Sequence, residues 1–282
     1  PAQGAPAVGE ATPTPEPPVD PNIEIDALLG DAGTKSDTAR ARVMYLKAEV
    51  AMLRKNKEEH DEKLISISRT FDPKNLSPML LALVGDQLLQ KGDTDKAGKF
   101  FQKLMADYPQ SDVVEFAYNG LGQIALAKGE NDKALKLFTQ AIEQIGASRK
   151  LKDVTVGQAN TLLVLGKLDE AKKVFEQVAS IREWRGEATA LAVFSLGDIE
   201  FRRGKIPEAN AYFQRVFVGY QKFLPWVAKA YLKSGECFEK LGKKEEAVRT
   251  YQEMLRNEKL APFPETAEAR KRLQTLSGGA AS

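Results

Sequence analysis

The 282-residue chain has little of what most reactive sites use: one cysteine, one histidine and two tryptophans. A single cysteine, Cys237, excludes an internal disulfide, and its place in an apolar helical pattern reads as a small buried residue. The lone histidine, His60, has no second histidine, cysteine or carboxylate cluster at ligand spacing, so it is read as a surface side chain and no metal is expected. No apolar run approaches the ~18 residues of a membrane span. An excess of either charge is missing too. The 41 basic and 39 acidic side chains are interleaved, unlike the concentrated basic surface of a nucleic-acid or anionic-membrane binder. Nucleophile elbow, phosphate loop, dinucleotide fingerprint and kinase signature are absent, so neither an enzyme nor a cofactor is expected. Two fragments resemble sites, Arg202 to Lys205 (RRGK) and Gly92 to Ala97 (GDTDKA). Both read as solvated turns, the second lacking the ligand count of a calcium loop.

What the chain does have is repetition. The stretch Leu196 to Phe213, LGDIEFRRGKIPEANAYF, sets a skeleton of a small residue, a Gly seven places on, an Ala five further and an aromatic four beyond that. It is carried by Gly197, Gly204, Ala209 and Phe213, then by Gly235, Gly242, Ala247 and Tyr251. Upstream it is carried by Ala159, Gly166, Ala171 and Phe175, by Gly122, Gly129, Ala134 and Phe138, and by Gly85, Gly92, Ala97 and Phe101. The second Gly advances by 37, 37, 38 and 38 residues, so variation falls between the motifs. Physically, the small residues mark where two helices approach closely, and the second Gly takes positive φ in the turn between them. The aromatic lies one turn from the Ala on the same helix face and fills the space the small residue leaves. Each copy predicts an antiparallel helix pair.

These residues resemble the tetratricopeptide repeat, with three or four extra residues per unit, over five units from Ser77 to about Leu260. The texture of the segments around Glu183 to Val216 and Trp226 to Leu255 is similar to bacterial envelope members, the periplasmic proteins that accompany Tol-Pal and the outer-membrane assembly lipoproteins. The resemblance implies an all-α, right-handed solenoid and a non-catalytic protein-binding role. It also implies a periplasmic or envelope-associated location, with the cytoplasm as the alternative.

The remaining segments are expected to serve that solenoid. Residues 1–35, rich in Pro and Ala, read as a disordered leader and tether. Within it Ile23, Ile25, Leu28 and Leu29 form an apolar patch, either a docking peptide for a partner or a piece that folds back on the solenoid. Residues 36–76 read as a helical region and a degenerate repeat, with Tyr45 and Met52 on a first helix, a polar turn at Asn56 to Glu59, and Leu64 and Ile67 on a second. The competing reading makes 38–70 a coiled-coil oligomerisation helix, since Val43, Leu46, Val50 and Leu53 fit heptad places, although Lys57 and His60 then break the seam. Residues 77–260 hold the five repeats, 261–276 a capping helix and 277–282 a disordered tail.

In the family that this sequence resembles, the second, fifth, ninth and twelfth places of each first helix point into a concave groove. Here the ninth places are Asp86, Gln123, Asn160, Asp198 and Glu236, a polar row. The fifth places include Asn119, Val156 and Phe194, and the twelfth include Leu89, Leu126, Leu163 and Phe201. A peptide or protein partner of polar or basic character is the expected ligand, gripped by Asp86, Asn119, Gln123, Asn160, Phe194, Asp198, Phe201 and Glu236. The family's Lys, Arg and Asn clamp for a terminal carboxylate is not matched, because ninth places carry acids where that clamp needs Asn. Two other functions remain open: an adaptor that oligomerises through 38–70, and the repeat region of a larger enzyme or secretion component.

Overall fold

The computed structural model describes residues 36–144 and 150–278, so the leader patch at Ile23 to Leu29 lies outside it. The described chain is all-α, with 13 α-helices and no strand among the described residues. They are α1 (Asp37–Leu53), α2 (Lys57–Thr70), α3 (Pro78–Gln90), α4 (Thr94–Asp107), α5 (Val114–Ala127), α6 (Asn131–Gln144) and α7 (Leu151–Val164). After these come α8 (Leu168–Ser180), α9 (Glu187–Arg202), α10 (Ile206–Gly219), α11 (Leu224–Lys240), α12 (Lys244–Arg256) and α13 (Pro264–Gly278). Each odd-numbered helix from α1 to α11 packs on the even-numbered helix after it, giving six pairs in sequence with α13 against the last.

The turn of each pair closes by one rule. The glycine N–H bonds back to the carbonyl three residues earlier and the next N–H to the carbonyl five residues earlier, which caps the first helix with two of its own orphan carbonyls. Gly92, Gly129, Gly166, Gly204 and Gly242 take φ of 84°, 76°, 73°, 75° and 70° there. The first pair makes the same two bonds, Lys55 to Met52 and Asn56 to Ala51. Its positive-φ residue is Lys55, at 60°, the one non-glycine described in that region.

Between the helices the aromatic and the small residue interlock. A Cβ on Gly85 would stand 2.7 Å from the Phe101 ring, on Gly122 2.7 Å from Phe138, on Gly197 2.7 Å from Phe213 and on Gly235 2.2 Å from Tyr251. Phe101, Phe138, Phe175, Phe213 and Tyr251 are all fully buried. Each such ring contributes about 2–3 kcal/mol by burial. Two of them also press on the following pair, where Gly120 and Gly157 leave room for Phe101 and Phe138. One ring thus locks its own pair and the next.

The polar start of α2 differs from the sequence expectation. The turn lies at 54–56, because the Asn56 side chain accepts the Glu59 N–H at 3.1 Å and starts α2 at Lys57. A single coiled-coil helix over 38–70 is therefore broken in its middle, and Leu53, one of its heptad places, is 83% exposed. Met52, placed with Tyr45 on the first helix, is also exposed, whereas Tyr45, Leu64 and Ile67 join the core. His60 is half-buried beside Asp61, its Nδ1 3.0 Å from Oδ1, and is not the surface residue expected. At the other end α13 starts at Pro264 and runs through Gly278, so part of the expected tail is helical. Thr266 anchors it, donating from its buried hydroxyl to the Leu260 carbonyl at 2.6 Å.

Candidate functional site

The first helices pack on one another, α3 on α5, α5 on α7, α7 on α9 and α9 on α11, while successive second helices barely touch. A stack closer on one side than on the other curves, and the first helices form its inner wall. The sequence-derived groove residues stand on that wall, but the structure divides them.

Three acidic rungs are neutralised from within. Asp86 pairs with Lys150 at 3.2 Å, across 64 residues of sequence. The Lys150 ammonium also lies 4.6 Å from the centre of the Phe116 ring. Asp198 pairs with Arg202 one turn along at 2.8 Å. Glu236 pairs with Lys233 at 2.7 Å and lies 3.6 Å from Arg272 of α13, which also reaches Glu239 at 3.3 Å. The acidic ladder expected to draw a basic ligand is thus occupied by the chain's own cations. Lys150 and Arg272 come from outside the repeat motif and had no sequence signal tying them to it.

Other predicted rungs are packing residues. Asn119 is 1% exposed and its Oδ1 accepts from Gln123 Nε2 at 3.2 Å. Phe194 sits between Phe213 and Trp226, with ring centres 5.3 and 5.6 Å away. Phe201 lies under Lys233 and Lys240, at 5.0 and 5.3 Å. Its ring serves the junction between the fourth and fifth glycine-bearing pairs.

What stays open is the middle of the wall. A cavity of about 650 Å³ is bounded by α5, α7, α9 and the connection into α9. Gln123 and Asn160 are the two predicted polar rungs that line it, with Leu126 from a twelfth place and Val156 from a fifth. Leu191, Ala188 and Trp184 complete an apolar floor, and Lys152, Asp153, Glu183 and Arg185 edge it with both charges. The connection holds this shape through a short 3₁₀ turn at Arg182–Trp184 and then Gly186, at φ 144° and ψ −138°, a conformation open to glycine. Thr189 donates to the Trp184 carbonyl at 3.0 Å and fixes the turn to α9. Trp184 and Arg185 were missed as site residues. The signal for them was the Trp-Arg-Gly run, an aromatic and a glycine outside the repeat skeleton.

Among the described residues no group of three or more His, Cys, Asp or Glu side chains could hold a metal. Cys237 is fully buried, and burial pushes its thiol up to about 12, so it is no nucleophile. An ionic cluster away from the cavity, Glu200 with Lys172 at 2.7 Å and Arg203 at 3.6 Å, ties the third glycine-bearing pair to the fourth. The Lys172 hydrogen bond holds the Glu200 carboxyl below the usual range. No described helix is long and apolar enough to cross a membrane.

Three models of the tetratricopeptide repeat match this sequence, at residues 83–111 and 229–258, at 117–145 and at 156–222. None of the curated proteins matches it. Among solved structures, PilW, described as a widely conserved type IV pilus biogenesis factor, is similar with a TM-score of 0.60 over 81% of this chain and 97% of that one, at 14% identity. PilF of Pseudomonas aeruginosa gives 0.56 over 82% and 97%, at 13% identity. YrrB, described as a tetratricopeptide-repeat protein with an unusual peptide-binding site, gives 0.50 over 70% and 93%, at 18% identity. At such identities these structures speak for the fold, and the family matches for the repeat. Between them the matches reach every glycine-bearing pair, and all five are tetratricopeptide repeats.

Proposed function

We propose that this protein is a non-catalytic scaffold that holds a segment of a partner protein against the inner wall at α5, α7 and α9. The single observation that carries this is the open cavity there, since the acidic rungs outside it are engaged in internal ion pairs. An apolar floor beside two amides suits a segment that inserts an apolar or aromatic side chain and offers its backbone to Gln123 and Asn160. Edge charges of both signs ask for no particular net charge, so the basic ligand expected from the sequence gives way to an amphipathic one.

The first pair, α1 and α2, is a sixth, divergent repeat in this reading, and α13 closes the opposite end as a cap. The setting is a bacterial cell-envelope assembly, supported by the sequence texture and by the likeness to PilW and PilF. The peptide-binding site named for YrrB supports the mode of binding. The test is capture from a lysate of the source organism by the full chain, the Val156→Arg variant and the Asn160→Ala variant, with quantitative identification of what is retained. Val156→Arg should abolish retention of the specific partner and Asn160→Ala should reduce it several-fold, with helicity unchanged in both. Equal retention by all three overturns the proposed site.

A further inference from the structure

In most helix pairs the residue after the motif alanine reaches across to the next pair. Lys172 donates to Glu200 of α9 at 2.7 Å, and Asn210 Oδ1 accepts from buried Ser234 of α11 at 2.6 Å. Leu135 packs on the cluster around Ala159 and Leu162, and Asp61 bonds Gln87 of α3. In α4 the same place holds Gly98, and a Cβ there would meet only Ile124 Cδ1, at 3.9 Å. The glycine is no steric necessity, although glycine is unfavourable in a helix interior. It leaves its side of the junction open.

Facing Gly98 is a groove of about 510 Å³ between the second helices α4 and α6, with α5 beneath. Met105, Leu121, Ile124 and Leu137 give it apolar walls, and Lys99, Lys128 and Lys133 stand around it against Asp95 and Glu130. Lys128 pairs with Asp95 at 3.6 Å and Lys133 with Glu130 at 2.7 Å. Lys99 is exposed and makes no ion pair with a described residue, so the rim keeps a spare positive charge. Such a slot suits a short apolar segment that carries acids.

The leader joins the solenoid beside this groove. Thr38 Oγ1 donates to the Asn75 carbonyl at 2.9 Å, and Asn75 Nδ2 donates to Asp37 at 3.0 Å, which ties the first turn of α1 to the 73–75 connection. That connection packs on α4, and Asp72 just before it feels the charge of Lys103 near the C-terminal end of α4. Ser36 therefore stands at the Met105 end of the groove, which runs to Thr94, about 17 Å along α4. The stretch from Ser36 back to Leu29 reaches at most about 25 Å, against about 10–12 Å for the one helix it has to cross. From Leu29 to Ile23 is about 20 Å more, the length of the groove. The chemistry matches as well as the reach. Before Lys35 the leader has no basic residue, and Ile23 to Leu29 (IEIDALL) sets four aliphatic side chains beside Glu24 and Asp26. We infer that the Ile23 to Leu29 segment docks in the Gly98 groove of its own chain, its aliphatic side chains on the apolar walls and its acids toward the lysine rim. The tether selects the same chain as the source: a short flexible joint presents the segment at an effective concentration of about millimolar, which a free second copy does not match. The inference is independent of the inner-wall site, since the groove opens on the side of the second helices.

The experiment is disulfide trapping in the full chain carrying Ala27→Cys and Gln102→Cys, Gln102 being an exposed residue of the groove. Cys237 is fully buried and stays out of the exchange. Under oxidised glutathione the two new thiols should close an intrachain bond, read as a faster-running monomer on a non-reducing gel, at a rate constant over a hundredfold range of protein concentration. Adding Gly98→Leu, which fills the slot as Leu135 fills its own, should slow closure at least tenfold with an unchanged or higher melting temperature. Adding Leu28→Asp, a change outside the solenoid, should slow it as much. Closure at the parent rate in both variants would mean random encounter of a loose leader and overturns the inference. Disulfide-linked dimers whose yield rises with concentration overturn it in favour of a second copy, and absence of any bond overturns it outright. Val156→Arg, the inner-wall variant, should close at the parent rate, so failure of one site is told apart from failure of the other.

Discussion

The first helix pair and the five that follow reach the same turn by different residues. Aligned on that turn, the skeleton of the first pair is Ala48, Lys55, His60 and Leu64, with the spacing of seven, five and four kept and three of the four residue types changed. Ala48 and Leu64 are buried as their counterparts are. His60 stands in the place of the motif alanine, and Lys55 takes the positive φ that glycine takes elsewhere. The lesson is that spacing and packing against the neighbouring pair create the turn, while glycine lowers its cost. A motif search keyed to residue type stops at Ser77; one keyed to spacing continues to Ser36.

Four substitutions sharpen that comparison, in order of falling effect. Phe101→Ala should cost about 3–5 kcal/mol in urea denaturation, because this ring locks its own pair and Gly120 of the next. Leu64→Ala should cost clearly less, and an equal loss would show that the divergent pair is as tightly interlocked as the others. Gly235→Ala should cost about 1–3 kcal/mol, since the new Cβ would stand 2.2 Å from the Tyr251 ring. The reverse change in the first pair, Ala48→Gly, should cost only about 1 kcal/mol of helix propensity.

At the turn itself the signs should be opposite. Lys55→Gly should raise stability by about 0.5–1 kcal/mol, and Gly129→Lys should lower it by about 1–2 kcal/mol, both read as shifts of the urea midpoint. If Lys55→Gly destabilises instead, its side chain and not its backbone holds the turn. Another modest effect concerns the junctions. Glu200→Gln should cost about 1 kcal/mol at neutral pH through the weakened bond to Lys172. The folded Glu200 carboxyl is held below its ordinary value of 4.5, so this contribution is complete above that pH and fades as the pH falls through the depressed value. Stability curves of variant and parent should therefore converge in acid, and a gap that persists at pH 2 would assign the cost to packing.

Much of the solenoid could be read in the chain because its contacts are local. Gly85 and Phe101, or Gly235 and Tyr251, are sixteen residues apart, and a fixed spacing brings them together in every copy. The candidate site was legible only in part. Gln123 and Asn160, expected in the groove, line a cavity on the inner wall, whereas Asp86, Asp198 and Glu236, expected to grip a ligand, are paired with cations of the chain. Arg202 and Lys233 are within one helical turn of Asp198 and Glu236, but the remote cations could not be assigned from the motif. Lys150 lies 64 residues from Asp86, and Arg272 sits on a helix outside the repeat.

Periodicity, turn residues and the small-to-aromatic spacing determined the helix pairs, their order and the side on which each packs, since all of these follow from contacts within one repeat length. Tertiary structure alone decided which parts of the inner wall stay open, which acids are already paired, and that Gly98 leaves a cavity where its counterparts fill one. Those outcomes depend on side chains from different pairs meeting across the stack, and the curvature that brings them together is a property of the whole solenoid.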